Sequence, residues 1–171
     1  HSRGFDVRIE DTTDSICGLA LQGPRARAIL KGITEFDMDR MRFFRIRATT
    51  ISGLPVWVSR TGYTGDLGYE IFCENAHALA LWDAIMEAGA PHGLIPIGLN
   101  ALDVARIEAG FVLQGVDYIS AKSCLVDALK STPDDAGLGW TVDLDRDYFV
   151  GQQAIRAERK RGPVWDLVGL N

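Results

Sequence analysis

An α+β fold with an antiparallel sheet and packed helices is predicted by two observations. Short stretches with an apolar period of two are interspersed with stretches of period near 3.6. The two kinds mix without the regular strand–helix–strand rhythm of a parallel sheet, and one pair of strand patterns is joined by a tight Gly–Pro turn.

FDVRIED alternates Phe5, Val7 and Ile9 against Asp6, Arg8 and Glu10, which predicts a half-buried strand. A strand-like core follows from Ile16 to Leu21. Gly23-Pro24 then opens a helix, since proline is tolerated in the first turn. Ala26, Ile29 and Leu30 recur there at helical spacing, and the helix ends near Gly32. Phe44, Ile46 and Ala48 alternate with Arg45 and Arg47, and Val56 to Val58 follow a turn at 53–55, so a hairpin is expected. YEIF, Tyr69 to Phe72, gives a further strand. Asn75 is the expected N-cap of a helix over Ala76–Ala88. Its Leu79, Trp82, Ile85 and Met86 share one face, which predicts packing on the sheet with Trp82 buried, and Gly89 is expected to close it. In GLNALDVARIEAG, Leu99, Leu102, Ala105 or Arg106, and Ala109 are spaced for another helix. A strand from Trp140 to Leu144 and a helix from about Gly151 to Arg159 complete the series.

The 171 residues allow one domain or one and a half. A 47% hydrophobic and 24% charged composition is that of a well-cored globular chain. The net charge of −5 provides no general field for nucleic acid or anionic lipid. RAERKRG near the C-terminus is a local basic run and reads as a solvated helix end. Three cysteines, Cys17, Cys73 and Cys124, form no CxxC and no short spacing. That argues against a disulfide framework or a zinc site and for a reducing, cytoplasmic setting. The scattered His1, His77 and His92 suggest no metal site. No apolar run approaches the ~20 residues of a membrane span, and no signal peptide is visible. The chain opens without methionine and stops at DLVGLN, which reads as the start of a strand. A piece of a longer protein is therefore expected.

No GxSxG, HExxH or P-loop is present. GYTGDLG spaces its glycines by two with no helix after it, unlike a dinucleotide fingerprint. The stretch SRTGYTGDLGYEIF instead sets one acid, Glu70, between Tyr69 and Ile71. Strand alternation gives Glu70 the side of Gly68 and Phe72. Two readings stand: an exposed edge glutamate, or a ligand anchor. A carboxylate accepts two parallel N–H bonds, the pair that a guanidinium-like heterocycle such as a pterin presents. Glycines ahead of it permit close approach. Tyr63 and Tyr69 are candidates for a stacking face or a hydroxyl, and equally for the core. Asp103 and Arg106, at i and i+3, are spaced to meet on an otherwise apolar helix, as a structural ion pair.

Four ordered segments carry a resemblance: LALQGPRARAIL, SRTGYTGDLGYEIF, PIGLNALDVARIEAG and PDDAGLGWTVDLDRDYFVGQQAI. Together they resemble the aminomethyltransferase family, the glycine cleavage T-protein and its relatives, over nearly the whole chain. The resemblance implies a partial T-protein-like core over residues 1–163, lacking an N-terminal lobe, and the start of a C-terminal barrel over 164–171. It implies tetrahydrofolate as cofactor, bound in a central hole between three lobes, with Glu70 on the pterin and Tyr63 near the same pocket. The reaction implied is attack by folate N5 or N10 on a one-carbon unit carried on an amine, sulfur or oxygen. The partners implied are a small-molecule one-carbon donor or a lipoyl carrier protein, and the remaining lobes of the full-length chain. Leu102 stands where the family's transferases usually carry a folate-gripping arginine. Relatives lacking that arginine include folate-linked demethylases and the folate domains of dimethylglycine- and sarcosine-oxidising enzymes, so such a domain, or a non-catalytic relative, is the alternative. The family's key aspartate, near an NAAN-like motif, has no counterpart in this sequence, and the KGCYxGQE signature of the iron–sulfur maintenance branch is absent.

Overall fold

Residues 4–169 are described in the computed structural model. They fall into two compact units, His1–Ala109 and Gly110–Asn171. The first unit is built on four antiparallel strands, β1 (Ile16–Gln22), β2 (Ile46–Ile51), β3 (Leu54–Ser59) and β4 (Gly68–Glu74), in the order β1-β4-β3-β2. The hairpin between β2 and β3 turns on Ser52 and Gly53, with φ of 47° and 82°. Two successive left-handed residues match the twist of the flanking strands.

Alternation sorts the sheet into two faces. Leu21, Val56, Val58, Tyr69, Ile71 and Cys73 lie on one. Against them pack Ala26, Ile29 and Leu30 of α1 (Ala26–Lys31) and Leu81 and Ile85 of α2 (Ala78–Gly89), with Met38 and Met41. Each fully buried Leu, Ile or Met contributes ~1.5–3 kcal/mol of transfer free energy, so this layer supplies most of the unit's drive to fold. The other face carries Ala20, Gln22, Trp57, Ser59, Glu70 and Phe72. Two rungs cross all four strands there, Ala20–Glu70–Ser59–Ile46 and Gly18–Phe72–Trp57–Ala48.

Several expectations give way. Residues 5–10 form no strand, and Phe5, Val7 and Ile9 are exposed. Alternation specifies a face but a strand exists only when a neighbour pairs with it, and no described residue does. Asn75 does not cap α2: it begins a 3-10 turn, Asn75–His77, and its amide donates to the Asp14 carbonyl at 2.6 Å. Trp82 is not buried but 42% exposed. The face that meets the sheet runs through Leu81 and Ile85, which puts Trp82 on its flank. Gly89 ends α2, yet the left-handed residue that turns the chain is Gly93. A Cβ on Gly89 would lie 2.3 Å from Leu94 Cδ2, so its role is close packing.

The last helix of this unit, α3 (Leu99–Glu108), carries the expected ion pair. Arg106, 2% exposed, places Nε 2.8 Å from Asp103 Oδ1.

The second unit has no strand from Trp140 to Leu144. Gly139–Thr141 is a 3-10 turn instead, and a five-residue stretch that pairs with no described strand cannot satisfy its backbone as a sheet. Its helix, α4 (Gln152–Arg161), forms as expected with an exposed basic last turn. Buried Gln152 donates from Nε2 to the carbonyls of Leu144 and Arg146, both at 3.0 Å. Buried Asp135 accepts from the backbone N–H groups of Val164 (3.2 Å), Trp165 (3.1 Å) and Thr132 (3.1 Å), and from Thr132 Oγ1 (2.9 Å). Burial alone would raise its carboxyl pKa, but these donors outweigh it and hold the pKa below the ordinary value. No described helix is long and apolar enough to cross a membrane.

Candidate functional site

Glu70 is half-buried in the middle of β4, on the face turned away from α1 and α2. Thr61, just past the end of β3, donates its hydroxyl to Glu70 Oε2 and is hydrogen-bonded to Ser59 Oγ at 2.9 Å. No described residue donates to Oε1. Because each carboxylate oxygen has two acceptor sites, Glu70 keeps capacity for a ligand's N–H groups on both oxygens while Thr61 fixes its rotamer.

The loop between β3 and β4, residues 60–67, is positioned by a residue that sequence reasoning left without a role. Gln22, at the end of β1, reaches across it. Its Nε2 lies 3.5 Å from the Thr61 carbonyl and 3.4 Å from the Tyr69 carbonyl, and its Oε1 accepts from Thr64 Oγ1 at 3.2 Å. Two glycines make room for it. A Cβ on Gly62 or Gly68 would stand 2.0 or 1.9 Å from Gln22 Oε1. A third, Gly65, has φ of 75°, and a Cβ there would lie 2.6 Å from that of Ala109 at the end of α3. The glycines of GYTGDLG thus serve side-chain and helix packing around the acid. The signal that would have found Gln22 was LQGP, which places a glutamine where β1 leaves the sheet.

Tyr63 is half-buried in this loop, between Thr61, which holds Glu70, and Thr64, which holds Gln22. Tyr69 is elsewhere: fully buried on the helix-packed face, its hydroxyl accepting from Arg27 Nε at 3.2 Å. Adjacent residues of a strand point to opposite sides, so Tyr69 and Glu70 are not brought together. Leu102, half-buried on α3, lines an apolar cavity of about 250 Å3 with Trp82, Ile85 and Pro96 along β1. That lining includes Ala20 and Gln22, the neighbours of Glu70, but not Glu70 itself. The pKa of Arg27 is raised by Tyr69 first, then by Asp39; this partly exposed group lies on the side of the sheet opposite the acid.

Glu70 is thus a half-buried carboxylate anchored by Thr61 on the open face of the sheet, next to the glycine-bearing loop. Residues 1–146 match the GCVT N-terminal domain family, and the chain belongs to it. It is 40% identical over 167 residues to an aminomethyltransferase of Caldanaerobacter subterraneus subsp. tengcongensis, covering 97% of this chain and 42% of that protein. It is 41% identical over 178 residues to a trimethylamine-oxide aldolase of Ruegeria pomeroyi, covering 98% of this chain and 21% of the relative. Among solved structures it resembles the glycine cleavage system aminomethyltransferase T of Bartonella henselae, with a TM-score of 0.70 at 29% identity, over 86% of this chain and 37% of that one. The α+β antiparallel architecture is similar to that of this solved structure. The chain spans less than half the length of the curated aminomethyltransferases it matches.

Proposed function

We propose that this chain is the tetrahydrofolate-binding part of an enzyme that transfers a one-carbon unit to the folate. Glu70 supports the reading most directly: a partly desolvated carboxylate, held by Thr61 and open at Oε1, matches the amino-pyrimidine edge of a pterin. When bound, tetrahydrofolate supplies the amine nitrogens that take up the one-carbon unit. The chain's own groups then have a binding and orienting role. Glu70 reads the ring edge, the loop bearing Tyr63 borders it, and Leu102 offers an apolar wall. Holding two reactants in register can supply up to ~7–11 kcal/mol of the barrier, so an acid–base group in this chain is not required. The reading includes a lipoyl carrier or small-molecule donor, the remaining lobes of a longer chain, and a cytoplasmic setting.

A second reading, a folate domain within a larger amine-converting enzyme, is favoured by the 41% identity to the trimethylamine-oxide aldolase, of which this chain spans only 21%. Donor choice separates the two. The full-length protein is supplied with tetrahydrofolate and, in turn, a lipoyl-borne aminomethyl group, a methylated amine and trimethylamine oxide. Folate-bound one-carbon product is then followed by chromatography. The first donor alone would mark a glycine-cleavage transferase, either of the others the second reading, and no folate product with any of them would contradict both. Leu102→Arg is expected not to create efficient transfer from the lipoyl donor where wild type has none, because an arginine on the folate side does not choose the donor.

A further inference from the structure

Cys17 of β1 and Cys73 of β4 are register partners. One rung beyond the ladder, the Gly23 N–H donates to the Leu67 carbonyl at 2.8 Å. Hydrogen-bonded and open rungs alternate in an antiparallel pair, so the rung at Cys17 and Cys73 is of the hydrogen-bonded kind, with Cα atoms ~5.5 Å apart. That falls within the ~4.4–6.8 Å span of disulfides. The side chains share the helix-packed face. Burial first, then Cys17, pushes the Cys73 thiol pKa up. Cys73 is fully buried, whereas Cys17 is half-buried on an edge strand. Neither has a part in the folate site, which lies on the other face.

We propose that Cys17 and Cys73 are a redox modification site, closing to a reversible cross-strand disulfide by exchange with a low-molecular-weight disulfide of the glutathione class. The Cys17 thiolate attacks one sulfur of the small disulfide and displaces a thiolate. The Cys73 thiolate then attacks the Cys17 sulfur and displaces the second small thiol. One S–S bond breaks and one forms. The protein dithiol gives up two electrons and two protons, and the small disulfide takes them up as two thiols. Exposure sets the order, because only Cys17 is open to an external reagent. The link ties the edge strand β1 to β4 three positions from the Ala20–Glu70 rung, so it limits fraying of the strand beside the folate-facing acid.

The test uses the full-length protein, native and reduced, incubated with oxidised glutathione, then denatured, alkylated, digested and analysed by mass spectrometry. The expected product is a Cys17–Cys73 cross-linked peptide, so that this chain loses two of its three alkylatable cysteines, and dithiothreitol restores both. In Cys73→Ala the glutathione adduct should accumulate on Cys17. In Cys17→Ala, Cys73 should remain unmodified until denaturation. The wild-type peptide map needs neither variant to fold. Wild-type protein that stops at a Cys17–glutathione adduct, stays unmodified at both positions, or forms the link only in denaturant would overturn the proposal.

Discussion

Tyr69 and Glu70 are adjacent in sequence and face opposite sides of one sheet, and their substitutions should separate accordingly. Tyr69→Phe removes the oxygen that accepts from Arg27 and nothing on the Glu70 face. It should lower stability by ~0.5–1.5 kcal/mol, read as a shift in urea midpoint, and leave tetrahydrofolate affinity unchanged. A large loss of affinity would instead place Tyr69 in the ligand site. Asp135 offers a pH test in the second unit. Its folded-state pKa is depressed, so the stability it contributes is complete above the unfolded value of ~3.9 and is lost as pH falls through the lower folded value. Asp135→Asn should therefore melt at lower temperature than wild type at neutral pH, and the gap should narrow as pH drops below about 4. A gap of constant size across that range would show that the carboxylate's charge has no part in holding Thr132, Val164 and Trp165.

The loop between β3 and β4 makes its own prediction as an element. A methyl on Gly68 would displace only the far end of Gln22, a flexible side chain. The lost hydrogen bonds, at 3.4 and 3.5 Å, are long. The reduced freedom of the unfolded chain gains ~0.4–1 kcal/mol. Gly68→Ala should thus fold nearly as well as wild type but bind tetrahydrofolate several-fold more weakly, because the loop at Thr61 and Thr64 loses its brace. Calorimetry alongside thermal melting checks both halves, and intact affinity would remove Gln22 from the account. Elements of this kind were unevenly legible in the sequence. β1 to β4, α1, α3 and α4 were readable because each pattern found a partner close in the chain or a core to face. The stretches at Phe5–Ile9 and Trp140–Leu144 carried strand patterns without a partner, and pairing is not encoded in a period. Trp82 was misplaced because Leu79, Leu81, Trp82 and Ile85 support two overlapping helical faces, and only the packed sheet selects Leu81 and Ile85. Glu70 was legible through alternation. Its anchor Thr61 and the brace Gln22 were not, because contacts across 9 positions for Thr61 and 39 and 47 for Gln22 depend on the strand register. For Gln22 the nearer of those contacts spans 39 positions and the strand partner opposite it is Gly68.

At the scale of the whole molecule, one sheet divides two jobs. Its helix-packed face supplies the core and holds the cysteine pair, and its open face carries the acid, its anchor and the glycine loop. The account's central claim is that this open face meets the pterin. Titration calorimetry of tetrahydrofolate into the full-length protein and its Glu70→Gln variant tests it most directly. The substitution keeps the shape but turns one acceptor oxygen into an NH2 donor facing a ligand N–H. Losing a charge-assisted hydrogen bond costs ~1.5–3 kcal/mol, so affinity should fall roughly tenfold to a hundredfold. The melting temperature should change little, since the amide can still accept from Thr61. Equal affinity for wild type and a folded Glu70→Gln variant would contradict the claim.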